Sequence, residues 1–100
     1  MIRQGDVLLV RVAEMPRQVE RYDNGGRCLV REGEATGHAH VIEGEVEEYR
    51  TSLDERFYAV LEGGGVLVHD EHSALTLEPG LYRLQPQAEW TPEGARWVAD

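Results

Sequence analysis

Lysine is absent from this chain of 100 residues, so all ten of its basic side chains are arginines. That excludes Schiff-base chemistry and any catalytic lysine. Cysteine occurs once, as Cys28. No internal disulfide can form, which suits a reducing compartment. Cys28 lies in the strand-like segment "GRCLVREG" and reads as a small buried hydrophobe. No run of about 18 apolar residues occurs, which excludes a transmembrane helix. The apolar start, "DVLLVRV", is bracketed by Asp6 and Arg11, and no small-residue cleavage site follows it. A cytoplasmic location is the expectation, with no membrane partner. Positive charge is scarce: 10 basic residues face 19 acidic ones, for a net charge of -9. Such a surface repels phosphates, and the arginines are scattered, so a nucleic-acid partner is not expected.

No stretch of about 11 residues carries a convincing helical period. What the chain has instead is dense turn chemistry. Gly5-Asp6, Asp23-Asn24-Gly25-Gly26, Gly33, Gly37, Gly44, Gly63-Gly64-Gly65, Pro79-Gly80, Pro86 and Pro92 punctuate short apolar and β-branched segments. This pattern predicts one all-β domain over residues 1–100, a small barrel or sandwich of about seven to nine short antiparallel strands. The expected strands are 6–12, 27–32, 38–43, 46–50, 56–62, 65–69, 74–78 and 81–85, with 96–99 closing the sheet. Gly44 is read as the turn of one hairpin, and the triple glycine 63–65 as the turn of another. The segment "TPEGAR" (91–96) offers one helical turn, with Thr91 as N-cap and Pro92 at the first helical position. Segment 13–26 is the longest irregular connection.

The four histidines stand in two tight pairs and nowhere else: His38 and His40 in "TGHAHVIEG", His69 and His72 in "VLVHDEHSAL". On a strand, residues two apart face the same side, so His38 and His40 project together, alongside Ile42. Asp70 and Glu71 read as turn residues, which lets His69 and His72 converge at the mouth of that turn. If the two regions pack with these ends together, four imidazoles meet. Neutral imidazoles suit zinc, copper, iron and nickel. The expectation is a divalent transition metal, zinc first and iron or nickel next, held by His38, His40, His69 and His72. A carboxylate from Glu43, Glu45, Asp70 or Glu71 is an equally plausible replacement for one histidine. A closed four-ligand site would be structural; an open three-histidine site keeping water would be catalytic.

Other chemistry is weaker. Ser73, His72 and Asp70 are adjacent in sequence, which does not make a hydrolase triad. The triple glycine lacks the strand-to-helix context of a phosphate loop.

Gly33, His38, His40 and Glu45 resemble, distantly and imperfectly, the metal motif of cupins: a glycine, His-x-His, then a glutamate. The second cupin motif, Pro-x-Gly followed by histidine, has no counterpart, since the other histidines precede Pro79-Gly80. A second resemblance covers most of the chain. Gly37, His38, His40, His69, Glu71, His72, Pro79, Gly80, Tyr82, Trp90, Thr91 and Pro92 are similar to the pattern of a family of small, uncharacterised bacterial proteins. That resemblance implies that the histidines form one unit; it carries no activity.

Three functional classes follow. One is a cupin-like metalloprotein, an enzyme or a binder of a small-molecule ligand. The second is a module for a protein partner in which zinc staples a small fold. The third is a metal-free β-module with a polar histidine face. Sheet edges in so small a domain also suggest a homodimer.

Overall fold

In the computed structural model the described residues are 1–32, 38–86 and the strand backbones 88–91 and 94–97. They form ten strands: β1 (Ile2–Gln4), β2 (Val7–Arg11), β3 (Glu20–Tyr22), β4 (Arg27–Glu32), β5 (Ala39–Arg50), β6 (Arg56–Val68), β7 (Leu75–Leu77), β8 (Gly80–Leu84), β9 (Ala88–Thr91) and β10 (Gly94–Trp97). Eight pair into one antiparallel sheet in the order β1-β2-β8-β6-β5-β3, with β4 also on β5 and β7 also on β6. No helix forms among the described residues.

The spine is the ribbon of β5 and β6, strands of 12 and 13 residues. Thr51 organises the loop between them. Its N–H donates to the Glu55 carbonyl at 3.0 Å, and its Oγ1 accepts from the N–H groups of Leu53 at 3.3 Å and Glu55 at 3.1 Å.

These long strands correct the expectation of two separate hairpins. Neither Gly44 nor the triple glycine is a turn. Gly44 pairs with Gly65 in mid-ribbon, and the register slips between Gly44 and Val46. Gly44 has φ 124°, and a Cβ there would stand 2.6 Å from the Gly64 carbonyl oxygen. The glycines therefore let two backbones approach at a bulge, which a side chain on Gly44 would prevent. A second correction concerns the C-terminal segment. Its strand, β10, pairs with β9 in a separate two-stranded sheet and does not close the main one. Thr91 and Gly94 are paired residues of that hairpin, not parts of a helical turn, while Pro92 and Glu93 lie outside the described residues.

On one side of the glycines, β5 and β6 are flanked by β4 and β7; on the other, by β3 and β8. Both regions feed one core. Cys28, Val30, Ile42, Leu67 and Leu77 come from the first, and Val46, Tyr58, Val60 and Tyr82 from the second, joined by Val7 and Leu9 of β2. Strand alternation explains the assignment: Cys28 and Val30 of β4 point inward while Arg27 and Leu29 point out. On β5 the inward face carries His40 and Ile42, then Val46 and Glu48 beyond the bulge. Glu48 is a buried carboxylate held by Asn24 Nδ2 at 2.8 Å and Arg50 Nε at 2.6 Å. The β1 end laps over the far half of β6, since the Gln4 amide nitrogen donates to the Leu67 carbonyl at 3.0 Å.

Candidate metal centre

The inward face of β5 leads directly to the histidines. His38 precedes the strand and His40 is its second residue, so the pair shares one side as the spacing predicts. His69 follows the last residue of β6, and His72 lies in the connection to β7. Because β5 and β6 pair up to Val41 opposite Val68, the two histidine pairs meet at one end of the ribbon.

The rings interleave. His69 sits 4.2 Å from His40, 4.7 Å from His72 and 6.1 Å from His38, centroid to centroid, and His40 lies 5.8 Å from His72. All four expected residues are therefore in one cluster. Burial is graded: the His40 side chain is fully buried and that of His69 is 4% exposed, whereas that of His38 is 34% exposed. One side of the cluster faces the core and the other reaches solvent.

Two of the four candidate carboxylates join it. His38 Nδ1 lies 3.0 Å from Asp70 Oδ2 and 2.9 Å from Glu71 Oε1. This contact with the imidazole, chiefly its hydrogen bond, holds the Asp70 carboxyl below the usual carboxylate range. Asp70 Oδ1 is also 3.3 Å from His69 Nδ1, and the Glu71 N–H donates to that same nitrogen at 3.0 Å. His38, His69 and Asp70 each present a ligand atom, all within 4.8 Å of one another, and this group could hold a metal ion. Glu43 and Glu45 do not come to the cluster. They lie exposed on β5, Glu43 paired with Arg27 at 3.4 Å and Glu45 accepting from the Gly63 N–H at 2.8 Å. The glutamate that the cupin motif would supply is thus engaged elsewhere.

The turn between β1 and β2 reaches the cluster too, although no sequence pattern points there beyond the turn itself. Gln4 is buried. Its Oε1 is 2.9 Å from His40 Nδ1, while its Nε2 donates to the carbonyls of Leu67 at 3.0 Å and Ser73 at 2.9 Å. Gly5 has φ 58°, and a Cβ there would stand 2.8 Å from His72 Nε2. Asp6 Oδ1 is 3.8 Å from His40 Nε2, and Asp6 Oδ2 is 3.5 Å from Arg31 Nη1. The only sequence signal was the Gly5-Asp6 turn; nothing in the spacing tied it to histidines more than 30 residues away.

Two surface cavities lie away from the histidines. One, of about 460 Å³, is lined by residues that include Leu29, Arg31, Arg56 and Arg83; the other, of about 440 Å³, includes Tyr22 and Arg50. Among the described residues no helix is long and apolar enough to cross a membrane.

The fold is all-β, and at one end of its central ribbon the histidines gather with His38, His69 and Asp70 placed so that they could hold a metal ion. Residues 3–87 match the domain of unknown function DUF8820, and the chain belongs to that family. No curated protein and no solved structure matches the chain.

Proposed function

We propose that this is a divalent-metal-binding protein whose ion sits among His38, His40, His69 and His72, with zinc the first candidate and iron or nickel next. The spacing of the rings carries the reading. Two imidazoles bound to one tetrahedral zinc at about 2.0–2.1 Å place their ring centres about 5 Å apart. The measured separations of 4.2, 4.7, 5.8 and 6.1 Å bracket that value. Two of these four rings, His40 and His69, are buried in the fold. Asp6, Asp70 and Glu71 surround them with negative charge that favours a cation.

The exposure of His38 and Asp70 leaves the outer side reachable by water or a small-molecule ligand. An open coordination position there would serve either a metal-dependent enzyme or a small-ligand binder. A second reading, a structural zinc in a module for a protein partner, is favoured by a different observation. The cluster gathers three segments far apart in the chain: the β1–β2 turn, the start of β5 and the β6–β7 connection.

Cobalt(II) titration of the metal-free protein tests the proposal. Saturable, intense visible bands of four- or five-coordinate cobalt, lost on replacing His38 and His69 together by alanine, are the expected result. Bands that shift when azide or cyanide is added support an open position; insensitivity supports the structural reading. No cobalt bands, or bands unchanged in the double variant, would overturn both.

A further inference from the structure

The geometry points to the β1–β2 turn as a third ligand-bearing segment of the metal centre, with Gln4 fixing which nitrogen of His40 faces the ion and Asp6 supplying a carboxylate beside it. This inference rests on the metal-binding reading and deepens it.

Begin with Gln4. Its amide nitrogen donates to two backbone carbonyls, those of Leu67 and Ser73. A carbonyl can only accept, so both contacts identify that end of the side chain as NH2, and the flip ambiguity of a glutamine is removed. The other end, Oε1, must then accept, and the group 2.9 Å from it is His40 Nδ1. His40 therefore carries its hydrogen on Nδ1. In the neutral ring, Nε2 then holds a lone pair. Gln4 is buried and the His40 ring is fully buried, so water does not compete for this contact. An outer partner that fixes tautomer and ring orientation is what a ligating imidazole requires.

Next, the surroundings of that lone pair. Asp6 Oδ1 lies 3.8 Å from His40 Nε2, too far for a hydrogen bond. Two donor atoms on one tetrahedral zinc stand about 3.3 Å apart, so a modest adjustment lets both bind the same ion. Gly5 completes the segment. A Cβ at that position would press on His72 Nε2 at 2.8 Å and on His40 Cε1 at 3.3 Å, so only glycine lets the turn pass between these two rings.

The test has two readouts, and both use the full chain. In the metal-free protein, long-range proton–nitrogen NMR correlations of the imidazoles should give His40 the Nδ1–H pattern. In Gln4→Leu that pattern should be lost and cobalt affinity should fall about 10- to 100-fold, the usual effect of removing such a partner. Gln4→Glu still offers an oxygen to Nδ1–H but gives up the amide donor to the Leu67 and Ser73 carbonyls, so it should keep the tautomer of His40 while lowering the melting temperature. Asp6→Asn should weaken cobalt binding by a similar factor while leaving the tautomer of His40 unchanged. A His40 with its hydrogen on Nε2 in the wild-type protein would overturn the inference. So would wild-type cobalt affinity in folded Gln4→Leu and Asp6→Asn, even though the metal-binding reading would survive. Absence of cobalt binding in the wild-type protein would instead remove the metal-binding reading, and the ligand role of Asp6 with it.

Discussion

At the residue scale, Cys28 and Asp70 titrate in opposite directions. Burial pushes the Cys28 thiol up from its ordinary value of 9.0, against a lowering contribution from Asn24. The folded protein holds that proton more tightly than the unfolded chain does. This contribution to stability is therefore fully present below pH 9 and is lost as pH rises through the folded value. At pH 8 the thiol should react with Ellman's reagent only after denaturant is added; prompt reaction in the native protein would contradict its position in the core. Asp70 runs the other way. Its pKa is depressed below 3.8 by His38, so the favourable pairing is present above that value and disappears as pH falls through the folded pKa. In the metal-free protein, carboxyl carbon NMR should show Asp70 titrating below an ordinary aspartate. In His38→Ala it should move back toward the ordinary value, with His69 and a backbone hydrogen bond still lowering it. An unshifted Asp70 in the wild type would contradict the contact.

At the scale of elements, the chain's punctuation was informative about where strands lie and misleading about what joins them. Segment 27–32 forms β4 with the expected bounds, and Pro79 lies between β7 and β8, with Gly80 the first residue of β8. The glycines failed as hairpin signals for a physical reason. A glycine serves a turn and a close backbone approach equally well, and only pairing to a distant strand decides between them. Gly44 opposite Gly65 is such an approach. Replacing Gly44 by alanine forces a Cβ to within 2.6 Å of a carbonyl oxygen at φ 124°. The expected cost is about 2 kcal/mol or more. By contrast Gly25→Ala, where a Cβ meets nothing within 4 Å, carries only the strain of its positive φ of 61°. Thermal melts of the two variants side by side check this. Equal melting temperatures would mean that the ribbon does not bend through Gly44.

The histidines were the legible part of the site, because strand period and the short turn 70–71 bring each pair to one place without knowledge of the rest. Gln4, Gly5 and Asp6 were not legible. Their link to His40 is made by tertiary folding, through β1 lapping over β6, and no local pattern encodes it. Glu43 and Glu45 were plausible by proximity in sequence, yet strand alternation puts both on the face opposite His40 and Ile42 or out of register with it at the bulge.

At the scale of the whole molecule, the cluster joins the β1–β2 turn to one end of the central β5–β6 ribbon. An ion bound there stabilises the folded state by its binding free energy, about 4 kcal/mol when present at a thousandfold excess over its dissociation constant. For a domain of this size that corresponds to a rise in melting temperature of roughly 15 °C or more. Removing metal with a chelator should reverse it, and readdition should restore it. The most direct test of the central claim is the elemental content of the untagged protein, beside His40→Ala. Near-stoichiometric metal in the wild type, lost in the variant, is the predicted result. No bound metal after zinc, iron, nickel and copper have each been supplied would contradict it.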